Sequence, residues 1–148
     1  MAGFLDIKSG GRIRYNFVAA AGQTWNRGQV IVLNAQSQLE KLGANNYNSG
    51  VFAGLALETL LAAGVDNIVQ NTNVAVAGST VSVLAGEAVV VNDNLSGTGG
   101  WVPGQSTVYG QIGGNLSYNS ASGLALGKCL ESPVASGLLK FAFKPANG

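Results

Sequence analysis

Two related stretches decide the fold: GLALETLLAAG, residues Gly54–Gly64, and GLALGKCLESPVASG, residues Gly123–Gly137. The first is rich in Leu and Ala and, taken alone, suggests a helix. The second begins with the same four letters but has Gly127 and Pro133 where a helix would continue, and these cost about 1 and about 3 kcal/mol in a helix interior. Two copies of one unit should share one backbone, so both stretches are predicted to be a short strand that enters a loop. Residues Leu60–Ala63 are predicted to form at most a short helical turn.

These stretches belong to a degenerate internal repeat. The sequence Trp25-Asn26-Arg27-Gly28-Gln29 is followed by an apolar run, and Trp101-Val102-Pro103-Gly104-Gln105 occurs 76 positions later. Each copy continues through a polar turn and an alternating segment to the GLAL element that begins at Gly54 or at Gly123. The pattern predicts an all-β fold, a compact β-sandwich or barrel of about ten short strands. The single β domain spans 17–148, with repeats over about 17–91 and 92–148.

The N-terminal segment, residues 1–16, is predicted to be an arm or a first strand. Three cations lie close together around a Gly10-Gly11 hinge. Such an arm can add as an extra strand to another protein's sheet, where its cations meet acidic groups. On this interpretation, deletion of residues 1–14 weakens attachment and leaves the fold intact. The alternative is a solvated first strand within the chain's own sheet. The candidate partner-binding residues are Phe4, Leu5, Ile7, Lys8, Arg12 and Arg14.

The composition favours a protein that packs against other proteins. Charged residues are 10% of the chain, against about 25% in typical soluble domains, and 22 residues are Gly. A weakly charged surface repels its neighbours poorly, although an ordinary neutral β domain is also compatible with it. The net charge of +1 provides no general attraction for nucleic acid. No stretch approaches 18 uninterrupted apolar residues, so we expect no membrane-spanning helix.

Side chains suited to catalysis or metal binding are few. The chain has no His, which removes the commonest general base and the commonest metal ligand. Cys129 is the only cysteine, so no internal disulfide can form, and a small buried hydrophobe is its expected role. Glu58 and Glu131 occupy similar repeat positions and could form a glycosidase-like pair, but most such residues are solvated turn residues. We therefore expect no enzymatic activity, no cofactor and no bound metal.

Trp25 and Trp101 allow two interpretations. As stacking platforms for sugar rings they would make the chain a carbohydrate-binding module. As structural residues, each packs at the same corner of its repeat beside a Gly-Gln turn. Their recurrence at one repeat position favours the structural role.

At the repeat, the chain resembles the head decoration proteins of tailed bacteriophages, also called capsid cement or stabilising proteins. The resemblance covers roughly residues 17–144 and rests on short motifs. They are the paired turns Gly28-Gln29 and Gly104-Gln105, the elements that begin at Gly54 and Gly123, and the Ala77-Gly78 turn before Val81-Ser82-Val83.

The resemblance implies a non-enzymatic β protein on the outer capsid surface of the virion, synthesised in the host cytoplasm. It implies that the chain binds the expanded head and clamps neighbouring major capsid proteins against internal DNA pressure. The implied partners are the major capsid protein and further copies of the chain in a homo-oligomer, with a trimer favoured. The alternative is a carbohydrate-binding, host-recognition module of a phage fibre or surface protein, which depends on Trp25 and Trp101.

Overall fold

The computed structural model describes residues 4–46, 51–62, 74–76, 80–119, 124–134 and 136–145. Within these ranges the fold is all-β, and no helix is long and apolar enough to cross a membrane. There are eleven strands: β1 (Leu5–Val18), β2 (Val30–Leu33), β3 (Leu39–Lys41), β4 (Val51–Ala56), β5 (Thr59–Leu61), β6 (Val74–Val76), β7 (Thr80–Asn92), β8 (Thr107–Gly110), β9 (Leu116–Ser117), β10 (Leu124–Glu131) and β11 (Leu139–Phe143).

Nine of these strands form one antiparallel sheet, and the long strand β7 holds it together. The order is β3-β2-β4-β7-β11-β10-β8-β9, with β1 also paired to β7. One edge of β7 pairs with β1 along its whole length. Its other edge pairs first with β4, at Val83 and Leu84, and then with β11, from Ala88 to Asn92. Strand β7 therefore joins two half-sheets.

The two half-sheets have the same strand order, β3-β2-β4-β7 in the first and β9-β8-β10-β11 in the second, with antiparallel pairing throughout. Gly54 in β4 and Gly127 in β10 correspond, with φ of 154° and 149°. A Cβ would lie 2.3 Å from Leu84 O at Gly54, and 1.8 Å from Ala142 O at Gly127. The two glycines thus occupy similar positions in the two half-sheets. The sequence alignment had instead placed Gly54 opposite Gly123, which lies outside the described residues.

The sheet buries apolar side chains on both of its faces in the first half. Val30 and Val32 belong to the larger core cluster, which residues of both halves share, whereas Ile31 belongs to a smaller cluster. Successive side chains of a strand point to opposite faces, so the smaller cluster lies on the outer face, where it includes Trp25 and Leu60. The curled sheet is compatible with a β-sandwich.

The two ends of the curled sheet touch each other. The N–H of Gly113 donates to Leu42 O (2.8 Å), and the N–H of Val30 donates to Gly114 O (2.9 Å). These bonds connect the turn between β8 and β9 to the first half. Among the described strands, no ladder closes the sheet into a barrel.

The short helical turn that the sequence allowed at Leu60–Ala63 does not form where the structure describes these residues. Leu60 and Leu61 lie in β5, which pairs in parallel with β6. The N–H of Leu60 donates to Trp25 O (2.9 Å), and the N–H of Trp25 donates back to Leu60 O (3.3 Å). The backbone groups that a helix would use are therefore bonded to a distant segment.

Candidate interaction edge

The candidate functional site is the unpaired edge of β1, residues 5–18, which we call the β1 edge. The strand pairs with β7 through ten residue pairs, from Leu5 opposite Asn92 to Val18 opposite Thr80. Among the described residues, no strand pairs with its other edge. The structure thus shows the first-strand alternative over these residues, not a free arm. Unpaired N–H and C=O groups along an edge strand are a template for pairing with another chain.

The start of β1 is fixed to the domain. Leu5 is only 3% exposed and belongs to the larger core cluster, against which Ile7 also packs. The N–H of Phe4 donates to Asp93 Oδ1 (2.9 Å). Leu5 therefore presents no side-chain surface to a partner, in contrast to its sequence-based prediction. Deleting residues 1–14 would open the core and uncover β7, so we no longer expect that deletion to leave the fold intact.

A partly buried hydrogen-bond network, which the sequence analysis missed, anchors the start of β1. The guanidinium of Arg27 donates to Leu5 O and, through Nε, to Leu57 O (2.8 Å). Burial lowers the pKa of Arg27, while the charges of nearby carboxylates partly offset that effect. Asn94 Nδ2 donates to Arg27 O (2.8 Å), and Nδ2 of the buried Asn92 donates to Gly28 O (2.8 Å). The available signal was the single cation of the motif Trp25–Gln29.

The middle of β1 carries exposed cations. Lys8 Nζ lies 2.7 Å from Asp6 Oδ2, and both side chains are about half exposed, so this surface pair is worth at most about 1 kcal/mol. Arg14 lies over the ring of Phe17, 5.2 Å from its centroid. Arg12 is exposed and has no hydrogen-bond or ion-pair partner within the described part of the chain. At least this guanidinium is available to an external carboxylate or carbonyl.

Gly10 and Gly11 form an irregular part of the strand and not a hinge. Their φ angles are 71° and 92°. A Cβ at Gly10 would lie 2.6 Å from Glu87 O, and one at Gly11 would lie 2.7 Å from Leu84 Cδ1. The register with β7 shifts at three points along the strand. Such bulges twist and bend an edge strand, which limits indiscriminate strand pairing.

The charge of the β1 edge argues against pairing with its own copy. Lys8, Arg12 and Arg14 outnumber the single anion Asp6, and like charges opposite one another on neighbouring strands are destabilising. Ile13 and Tyr15 are also exposed, at 40% and 66%, and add apolar contact area. The edge is therefore suited to an extended partner segment that carries carboxylates and apolar side chains.

Both tryptophans are structural in this fold. Trp25 and Trp101 are each 5% exposed. The indole N–H of Trp25 donates to Glu58 O (3.0 Å), and that of Trp101 donates to Gly97 O (3.1 Å). Neither ring offers a face on which a sugar could stack.

In the two Gly-Gln turns the glycines make the same kind of hydrogen bond, whereas the glutamines differ in burial. The N–H of Gly28 donates to a carbonyl of β4 (2.7 Å), and the N–H of Gly104 donates to a carbonyl of β10 (2.8 Å). Gln29 is buried, and its amide bonds Asn115 Oδ1 (2.8 Å), whereas Gln105 is exposed. The buried glutamine thus helps to connect the two half-sheets.

The described side chains offer no assembled reaction centre. Glu58 Oε1 accepts hydrogen bonds from the backbone and hydroxyl of Ser82 (2.9 and 2.6 Å), and Glu131 is ion-paired with Lys140 (3.1 Å). The two carboxylates therefore engage different partners. Burial raises the pKa of the Cys129 thiol. In the described ranges, no group of three or more potential metal ligands comes together.

A scan against protein-family models, a search of curated proteins and a search of solved structures each found no match. The function of the chain is therefore argued from the β1 edge and from the sequence resemblance.

Proposed function

We propose that the protein is a phage capsid decoration protein that binds the outer surface of the expanded head without catalysing a reaction. In this proposal the β1 edge receives an extended segment of the major capsid protein. The observation that carries the proposal is the β1 edge itself, which is 14 residues long and cationic. Among the described strands none pairs with its outer side, and its start is anchored by the core and by Arg27, which occupies Leu5 O.

Strand addition gives such an edge a means to clamp. An antiparallel partner exchanges backbone hydrogen bonds with alternate residues, so a segment matched to the β1 edge would form on the order of ten bonds after allowance for its bulges. Each contributes about 0.5–1.5 kcal/mol net, from which the entropy of association must be subtracted. A moderate affinity at each position becomes a strong constraint when many copies bridge neighbouring capsid subunits.

The partner segment should be acidic. The guanidinium of Arg12 is exposed and that of Arg14 is partly exposed. Both favour carboxylates on an extended partner segment opposite them, because Arg forms strong, two-point hydrogen bonds with carboxylates. We also propose, from the resemblance, a homo-oligomer with a trimer favoured. It would use a different surface, since the β1 edges of two copies repel each other.

The carbohydrate-binding alternative loses its original support, because it depended on the two tryptophans and both are buried. The proposal of strand addition is therefore the one that we test first.

The test is cosedimentation with undecorated expanded heads. Reversing Arg12 and Arg14 to Glu should weaken binding about tenfold or more, which corresponds to about 1.4 kcal/mol. The matched control reverses Lys128 on β10 and Lys140 on β11, both in the second half-sheet, where Lys128 is exposed and Lys140 is ion-paired with Glu131. Each reversal subtracts two charges, so both double variants change the net charge from +1 to −3.

Circular dichroism of both variants should show an unchanged strand spectrum. Failure of the wild-type protein to sediment with heads would overturn the decoration function. Equal binding by the two charge-reversed variants would instead remove the β1 edge from the contact.

A further inference from the structure

A small pocket lies in the second half of the chain and shares no residue with the β1 edge. It has a volume of about 210 Å³ and is bordered by the loop before Trp101 and by residues next to β8 and β9. None of its lining residues carries a charge, and none belongs to β1. At about 30 Å³ per water molecule, it has room for about seven waters, which is less than the about 300–1,000 Å³ of pockets for drug-sized ligands.

Tyr118 provides a fixed aromatic wall. Its side chain lines the pocket and is 49% exposed. The ring contacts Trp101 edge-on, with centroids 5.6 Å apart and planes at 75°. It also lies against Gly100, which has a φ of 86° and whose Cβ, if present, would be 2.5 Å from Tyr118 Cζ. The glycine is thus required for the tyrosine to sit where it does, and the ring is held in place before any ligand arrives.

Gln111 provides hydrogen-bond donors at the same pocket. Its Oε1 accepts a short hydrogen bond from Ser96 Oγ (2.6 Å). That bond orients the amide, and within the described residues its NH₂ group has no acceptor. An oriented amide with unused donors beside an aromatic ring is suited to a ligand that has both hydroxyl oxygens and an apolar C–H face.

We propose that this pocket binds a single neutral sugar ring. A charged ligand would find no counter-charge among the lining side chains, and a purely apolar one would leave the Gln111 donors unpaired. The aromatic ring of Tyr118 complements the apolar face of a pyranose. This site uses neither buried tryptophan as a platform, and it does not depend on capsid binding.

The test is an NMR titration of the ¹⁵N-labelled protein with the methyl glycosides of glucose, galactose and mannose. A ligand of about a dozen heavy atoms should bind with a Kd of about 1–10 mM. We expect the amide signals of Gly97, Gly99 and Tyr118 to shift for at least one of the three. No shift with any of them at about 50 mM, well above that Kd range, would overturn the proposal.

A blocking variant separates pocket binding from weak surface association. At Gly99 a Cβ would meet no atom within 4 Å and φ lies outside the positive region, so Gly99→Leu should fold and fill the pocket. It should weaken sugar binding at least tenfold, and Tyr118→Ala at least fivefold. The matched control is Gly43→Leu, where the nearest atom to a Cβ is Lys41 O at 3.7 Å.

Equal sugar binding by Gly99→Leu and wild type would contradict the assignment. Tighter binding of glucosamine than of methyl glucoside would contradict the neutral character of the ligand. Gly99→Leu should still sediment with heads, and the Arg12 and Arg14 reversals should still bind sugar, so failure of one proposal is distinguishable from failure of the other.

Discussion

Replacement of Gly127 by Ala should remove a large part of the free energy of unfolding. The φ of 149° at Gly127 is one that side chains rarely adopt, and such backbone strain costs about 1–3 kcal/mol. The new Cβ would also lie 1.8 Å from Ala142 O on β11. Relief of that contact displaces β11, which carries the fully buried Phe141 and Phe143, and overpacking of this kind costs typically about 1–3 kcal/mol.

The expected loss is therefore about 2–6 kcal/mol, a large share of the about 5–15 kcal/mol that stabilise an ordinary domain. Urea unfolding followed by tryptophan fluorescence measures this loss, and the midpoint of thermal unfolding should fall by about 4–24 °C. Gly54→Ala should behave similarly, because its Cβ would lie 2.3 Å from a β7 carbonyl. Gly97→Ala, where a Cβ meets nothing within 4 Å, should change stability by no more than about 0.5 kcal/mol. A loss below about 1 kcal/mol for Gly127→Ala would refute the proposed role of this glycine.

Three further predictions concern the interior. Arg27→Leu should destabilise the fold by about 2–4 kcal/mol in urea unfolding, since two backbone carbonyls lose charge-assisted hydrogen bonds; a change under about 0.5 kcal/mol would contradict the anchoring role. Hydrogen bonds from two asparagine amides hold the pKa of Glu40 below its ordinary value. The stability that the Glu40 carboxylate contributes is therefore present above its unfolded-state pKa and is lost as the pH falls through its folded-state pKa. Glu40→Gln should therefore flatten the decline of the thermal midpoint between about pH 5 and pH 3, and an unchanged slope would speak against it. The buried Cys129, with its raised pKa, should react with a thiol reagent on the order of a hundredfold more slowly in native buffer than in urea, whereas equal rates would place the thiol at the surface.

The strand content could be predicted from the sequence because the stretches beginning at Gly54 and Gly123 share their first four residues and were interpreted as copies of one motif, so that each restricted the prediction for the other. Gly127 and Pro133 ruled out a helix in the second copy, and the first copy then followed. The sequence could not decide between a short helical turn and a strand at Leu60. The backbone of Leu60 is hydrogen-bonded to Trp25, 35 positions away in sequence, and local propensity contains no information on such pairing. The match of Gly54 with Gly127 was missed for a related reason, since it depends on where the next strand approaches each backbone.

The candidate edge was predictable as a segment but not residue by residue. Cations and apolar residues within residues 4–14 pointed to an interaction surface, and the alternatives of arm and first strand were both open. Which side chains face the core depends on the three register shifts along β7, and one shift reverses the inward and outward alternation of every later residue. The burial of Leu5 and the exposure of Phe4 follow from ordinary strand alternation before the first shift, whereas the facing of the later residues could not be predicted in this way. The anchoring role of Arg27 could not be predicted from the sequence, because Arg27 and Leu5 are distant in sequence and come together only in the folded structure.

The most direct test of the proposed function is hydrogen–deuterium exchange of the protein, free and bound to expanded heads. If the β1 edge receives a capsid strand, amides in peptides covering residues 5–18 that exchange rapidly in the free protein should become protected on binding, while peptides from β8 and β9 keep their rates. Binding that leaves the β1 peptides unchanged and protects another surface would contradict strand addition.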